Sequence, residues 1–294
     1  MNVFDPFGAV RWLRTQVAVT VRDTMSGDQA AVRQTRPPVE DDPGLFGPDS
    51  VTWRVHQDSS MLVGGLRALF LQTMHPLAMA GVDDHSNFRE DAMGRLARTG
   101  AYVGITTYGT TDQGLEAIAH VRRVHRRVVG VAPDGRRYEA NDPHLLTWVH
   151  HTLVDSFLRS YQRYSGRPLS RADADRYVDE MAVMCELWQA EPAARSVAEL
   201  RDWFAEIRPE LEATPAARRT ARWLAIAPVP LPARAPYAVI APAAVGLLPG
   251  FVRRELRLPM PPALEPFIVR PAAFALVRTI DWFMSALPDE LSAA

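Results

Sequence analysis

The chain has no lysine; all 33 of its basic side chains are arginine. That absence removes Schiff-base chemistry and any phosphate loop built on a lysine. Cysteine occurs once, at Cys185, which excludes an intrachain disulfide, a zinc site of several thiolates and an iron–sulfur cluster. A reducing, cytoplasmic setting fits that usage. Neither sign of charge is in excess, with 33 basic against 34 acidic residues and a formal net charge of -1. No basic run with interleaved aromatics occurs, so nucleic acid is not expected as a partner.

Long hydrophobic runs are also missing. The most apolar window, 236–252, is short for a membrane span and is interrupted by Pro242 and Pro249. It reads as a core helix, or as a surface that touches lipid or a greasy substrate. Residues 1–23 form an apolar, amphipathic stretch carrying Asp5, Arg11 and Arg14 without a small-residue cleavage site, which does not read as a secretory signal. The His-Glu-x-x-His zinc motif, Glu-x-x-His pairs of di-iron bundles, Gly-x-Gly-x-x-Gly and Gly-x-Ser-x-Gly are all absent.

What is present is helical periodicity. With 294 residues, 47% of them hydrophobic, the chain can bury one large core or two smaller ones. The expected architecture is all-α: a globin-like or irregular helical bundle with at most one small β-hairpin. Residues 1–50 read as an N-terminal helix and a loose arm, and 51–294 as a single helical domain.

Within it, an apolar helix is expected from about 52 to 74, ending at His75 and Pro76. A polar loop 83–91 leads to a helix starting near Asp91. Asp112 is expected to open the next helix and Gly130 to close it. Pro133, Asp134 and Gly135 mark a hairpin turn, and Asp142 with Pro143 starts another helix. Ser170 with Asp173 and Ser196 with Glu199 announce helices over roughly 171–189 and 197–212. Prolines 228, 230, 232 and 236 punctuate a connection, and a last helix runs over about 262–287.

Two clusters carry candidate chemistry. A helical wheel over 112–130 sets His125 in an apolar arc of Leu115, Ile118, Val121, Val124, Val128 and Val129, with Arg122, Arg123, Arg126 and Arg127 opposite. A buried imidazole needs a partner, which is a backbone carbonyl in the ordinary case and a metal ion in the alternative. Upstream, Arg95, Arg98 and Thr99 share one helical face, where two forked donors and a hydroxyl suit a carboxylate or phosphate. By its wheel, His150 sits at the edge of an apolar face and is a candidate to line the same site, whereas His151 points away. His120 reads as solvated, and His75 as a capping or packing residue. Cys185, among Val183, Met184, Leu187 and Trp188, reads as a buried inert thiol.

The ordered series Gly64, Gly65, Leu66, Arg67, Ala68, Leu69, Gln72, His75, Pro76, then Gly94, Arg95, Leu96, Arg98, Thr99, then Val124, His125, Gly130, Gly135, Tyr138, Ala140, Asp142 and Trp148 resembles the MpaB-type oxygenase family. That family includes the latex clearing proteins, which are rubber oxygenases. The resemblance covers roughly residues 50–210. It implies a globin-like or bundle-like fold holding haem b, with His125 at the proximal iron ligand and Arg95 and Thr99 beside the haem. Arg98 falls where the rubber oxygenases carry a lysine that can take the distal position. A guanidinium has no free lone pair, so an open or water-bound sixth position, or a different distal group, is expected, with Arg98 bonding a propionate.

The function this implies is a haem-dependent oxygenase acting on an apolar, unsaturated or terpenoid-like small molecule with O2. Two other readings stay open: a haem-binding protein without turnover, and a cofactor-free helical protein that binds a hydrophobic ligand or partner.

Overall fold

The computed structural model describes residue 39, residues 41–86 and residues 90–285; the N-terminal helix expected over 1–23 and most of the arm lie outside these. Among the described residues twelve α-helices and one hairpin follow in order. They are α1 Val51–His56, α2 Met61–Gln72, α3 Pro76–His85, α4 Ala92–Tyr108, α5 Thr111–His125, β1 Val129–Val131, β2 Arg137–Glu139, α6 Pro143–Tyr164, α7 Arg171–Trp188, α8 Val197–Glu206, α9 Pro215–Ala225, α10 Leu231–Gly246, α11 Gly250–Leu256 and α12 Arg270–Met284. The fold is all-α with a two-stranded antiparallel hairpin, as the periodicity implies.

The helix expected over 52–74 is two helices. Between them the backbone N–H of Ser60 donates to Asp58 Oδ1 at 2.9 Å and that of Ser59 donates to Asp281 Oδ1 at 2.9 Å. These bonds draw the polar run 57–60 out of the helical ladder. The helix expected over 197–212 stops at Glu206 and continues as a 3-10 turn, Arg208–Glu210, because Pro209 lacks the N–H a longer helix needs. Pro232 and Pro236, read as linker, instead lie inside α10. The last helix is preceded by a π turn, Glu265–Val269.

α6 is the axis of the fold. Its N-terminus follows the sequence signal, with the Asp142 side chain accepting from the N–H groups of His144 and Leu145 and proline in the first turn. On one side Trp148 and Tyr164 join a core built with α2, α9, α10, α11 and α12. On the other, Val154, Phe157, Leu158 and Tyr161 join a second core with α1, α7 and α8.

α2 and α6 share the most extensive helix–helix contact. A Cβ at Gly64 would sit 2.9 Å from Phe157 Cδ1 and 3.1 Å from the Ser156 carbonyl oxygen, so the missing side chain lets the two backbones approach. In the same seam Arg67, 1% exposed, donates to Asp155, to the Ser156 hydroxyl and, from α2 across to α10, to the Leu247 carbonyl. A charge so buried is tolerable because each face of the guanidinium finds an acceptor.

The window 236–252 forms α10 and the start of α11, with Ala241, Ala243, Ala244, Val245, Leu248 and Val252 in the core. Among the described residues no single helix is long and apolar enough to cross a membrane; α10 and α11 meet that measure only together, and they are bent by 116°.

Candidate functional site

His125 is the last residue of α5, and several elements converge on it. α5 begins at a capping box, with the Thr110 hydroxyl and the Gln113 side chain bonding reciprocally, so Asp112 is inside the first turn and not the cap. The helix ends at His125, five residues before Gly130. Gly130 lies in β1 opposite Tyr138, whose ring would overlap any Cβ there. It is glycine because an aromatic ring crosses it, and not because a helix closes at it.

The Tyr138 hydroxyl donates to Asp84 on α3, pinning the hairpin to the bundle. Asp83 and Asp84, expected in a loop, both belong to α3, and Asp83 pairs with Arg219 at 3.2 Å.

Part of the apolar arc drawn around His125 faces outward: Leu115, Val124 and Val129 are 40%, 49% and 50% exposed. Ile118 is the arc residue buried in the core. What covers the imidazole is aromatic and polar instead. The Trp188 indole at the end of α7 lies 5.5 Å away, tilted by 37°, and its N–H donates to the Tyr102 hydroxyl of α4 at 2.7 Å. Asn141 donates to the Arg122 carbonyl at 3.1 Å, closing the end of α5.

His125 Nδ1 and Asn141 Oδ1 are both buried and make no hydrogen bond of ordinary geometry, although the Ala140 carbonyl and Asn141 lie close to the imidazole. Burial, with the positive charge of Arg95, holds the His125 imidazole below its ordinary proton affinity, against the opposing influence of the Ala140 carbonyl and Asn141. At neutral pH its lone pair is free.

The arginine face is split by the fold. Arg95 is half-buried near His125, bonded to the Ser86 hydroxyl, and no carboxylate pairs with it among the described residues. Burial, then repulsion from Arg98, weakens its hold on its proton. Arg98 turns outward, 65% exposed, and pairs with Asp91 at 3.1 Å. The Thr99 hydroxyl donates back to the Arg95 carbonyl at 3.0 Å, so it supports the turn carrying Arg95. The two guanidiniums thus point to different partners, Ser86 and Asp91.

On α6 the wheel ordered the histidines wrongly. His151 is 1% exposed, 4.3 Å from the Trp203 ring, and accepts from the Ala194 N–H at 3.1 Å. His150 is half-buried, its ring 5.6 Å from that of His151. Burial, joined by the neighbouring imidazole, pushes His150 down to about 3, and burial takes His151 down to about 4. Trp203 comes from α8 and fills the side taken as polar, which a wheel of α6 alone cannot show. His120 is exposed, as expected.

Cys185 is buried, and burial pushes its thiol up to about 12, which makes it a poor nucleophile. A surface cleft of about 520 Å³ lies along Arg253, Arg254, Leu258 and Met260, on and just after α11, and contains none of these residues.

Sequence reasoning missed Trp188, Tyr102 and Asn141 as the immediate surroundings of His125. The usable signal was an aromatic at the end of α7 and an asparagine directly before the Asp142 cap.

A buried imidazole nitrogen without a hydrogen bond of ordinary geometry, near a half-buried cation that meets no carboxylate among the described residues, fits an anionic metal-bearing group. No curated protein and no solved structure matches the chain. A family model does, over residues 53–282, described as ER-bound oxygenase mpaB/B'/Rubber oxygenase, catalytic domain. With most of its length inside that match, the chain belongs to the mpaB/rubber oxygenase catalytic-domain family.

Proposed function

We propose that this chain is a haem b-dependent oxygenase that acts on an apolar small molecule, unsaturated or terpenoid-like, with O2. The observation carrying the proposal is the buried His125 imidazole, its Nδ1 without a hydrogen bond of ordinary geometry, near Arg95, which meets no carboxylate among the described residues, in a member of an oxygenase family. His125 would hold the iron and Arg95 would balance a propionate. Haem, when bound, supplies the iron that activates O2.

The chain's own residues do the rest. Burial keeps His125 neutral, so its lone pair is available. Trp188, anchored through Tyr102, restrains the imidazole plane, and Asn141 fixes the end of its helix. Thr99 steadies the Arg95 turn. His150, held neutral by burial, offers a polar group without charge on α6. Arg98 pairs with Asp91 in this arrangement, so Arg95 is the nearer candidate for a propionate. The inert, buried Cys185 suits a reducing cytoplasm.

The test is an absorption spectrum of the purified protein, before and after adding haemin. A Soret band is expected, and it is expected to vanish in His125→Ala while circular dichroism keeps its helical signal. A colourless protein that takes up no haemin would overturn the proposal.

A further inference from the structure

Away from His125, three chain segments bring metal-binding side chains together. His75 is the N-cap residue of α3, His144 lies in the first turn of α6, and Glu210 closes the 3-10 turn after α8. The backbone holds two of these segments side by side, since the Glu212 N–H donates to the Met74 carbonyl at 2.8 Å. One ligand atom from each of the three side chains lies within 4.8 Å of the others. Glu210 Oε2 is 2.9 Å from His144 Nε2 and 3.6 Å from His75 Nε2. A tetrahedral ion with bonds of about 2.0–2.2 Å sets its donors about 3.4 Å apart, so these spacings need only small rotamer adjustments.

An independent observation points to a ligand. His75 is 2% exposed, and neither of its ring nitrogens has a hydrogen-bond partner. It caps α3 without a side-chain bond, and its ring packs 6.1 Å from Trp148 and 6.1 Å from His144. A buried imidazole whose Nδ1 has no partner and whose Nε2 has only a carboxylate 3.6 Å away costs free energy. Meanwhile His144 Nδ1 donates to Glu191 Oε2 at 3.0 Å. Its Nε2 is bonded in turn to Glu210 Oε2 at 2.9 Å, so an ion would take the place of that hydrogen bond while Glu191 holds Nδ1, the carboxylate–histidine–metal arrangement.

We infer that His75, His144 and Glu210 form a binding site for a divalent transition-metal ion of the zinc class, with Glu191 orienting His144. Two imidazoles and one carboxylate select borderline ions over calcium or magnesium, which require oxygen cages. Glu210 and His144 are 45% and 35% exposed, so the fourth position faces solvent and takes water. Arg136, the nearest cation, is neutralised by Asp134 at 2.7 Å. The ion would tie the break before α3, the start of α6 and the 3-10 turn into one clamp. None of this depends on haem at His125.

The test uses the full chain stripped with a chelator and titrated calorimetrically with Zn2+, with Co2+ as the visible-absorbing probe and Mg2+ as the control. One Zn2+ per chain is expected, no Mg2+ binding, and a melting temperature that rises with zinc concentration because only the folded chain holds the site. Glu210→Gln, an exposed position whose variant should fold, is expected to weaken zinc by at least about tenfold, and Glu191→Gln by about 10–100-fold. His125→Ala is expected to bind zinc as tightly as the parent. Absence of zinc and cobalt binding, binding indifferent to both glutamate changes, or binding lost in His125→Ala would overturn the assignment.

Discussion

The Arg67 guanidinium meets Asp155 at 2.8 Å between α2 and α6, with side chains 1% and 12% exposed. Asp155 is also reached by Arg159 at 2.7 Å, from a side chain 57% exposed. Breaking a buried pair leaves a charge without compensation, whereas losing an exposed partner removes little. Arg67→Ala is therefore expected to cost about 3–5 kcal/mol and Arg159→Ala about 0–1 kcal/mol, read from urea unfolding midpoints. Equal losses in the two variants would contradict this account of the seam.

The two adjacent glycines of α2 should behave oppositely. At Gly64 a methyl group would press on the Phe157 ring and the Ser156 carbonyl, while at Gly65 the nearest neighbour is a Phe157 ring atom 4.0 Å away. Gly64→Ala is expected to destabilise by about 1–3 kcal/mol through overpacking. Gly65→Ala should be neutral or gain up to about 1 kcal/mol in helix propensity. Thermal melts of both variants decide the matter, and a stabilised Gly64→Ala would show that the helices can separate freely.

Acid should loosen the fold through histidines kept neutral. His56 bonds Thr107 at 2.8 Å and Tyr177 at 3.3 Å, and burial takes it from 6.5 down to about 3. His151 falls to about 4 by the same cause. Above pH 6.5 neither folded nor unfolded chain binds these protons, so stability is full. As pH drops below 6.5 the unfolded chain takes up protons that the folded chain refuses, and stability declines by up to about 1.4 kcal/mol per pH unit for each imidazole. Urea midpoints measured from pH 7 to pH 5 should fall, and fall less steeply in His56→Gln. A flat profile would mean these rings protonate without unfolding.

Under the proposed function, the two arginines should separate in haemin binding. Arg95→Gln is expected to weaken haemin by about tenfold, the loss of one charge-assisted hydrogen bond of about 1.4 kcal/mol. Arg98→Gln should stay within about twofold, since exposed pairs of this sort contribute little. Fluorescence quenching of the tryptophans during haemin titration gives both constants, and the reverse order would place Arg98 at the propionate.

Several elements were legible in the sequence because their signals are local. The hairpin turn needs a left-handed residue, and Gly135 adopts φ +88 there; the start of α6 follows from Asp142 and Pro143. The misreadings share one physical cause, namely contacts from distant elements. Asp281 of α12 helps to break the helix at Ser59, Trp203 of α8 buries His151, and Tyr138 across the hairpin demands Gly130. At the candidate site, His125 and Arg95 stand out in the sequence because one helix or one motif carries each. Trp188 and the His75, His144 and Glu210 group do not, since their members come together only through tertiary packing.

α6 has 22 residues, a rod of about 33 Å at the usual helical rise. Its leading end carries His144, and Asn141, which closes the helix of His125, precedes it by three residues. The aspartate cap and proline of α6 thus fix one short interval of chain that props the end of the His125 helix on one side and carries His144 on the other.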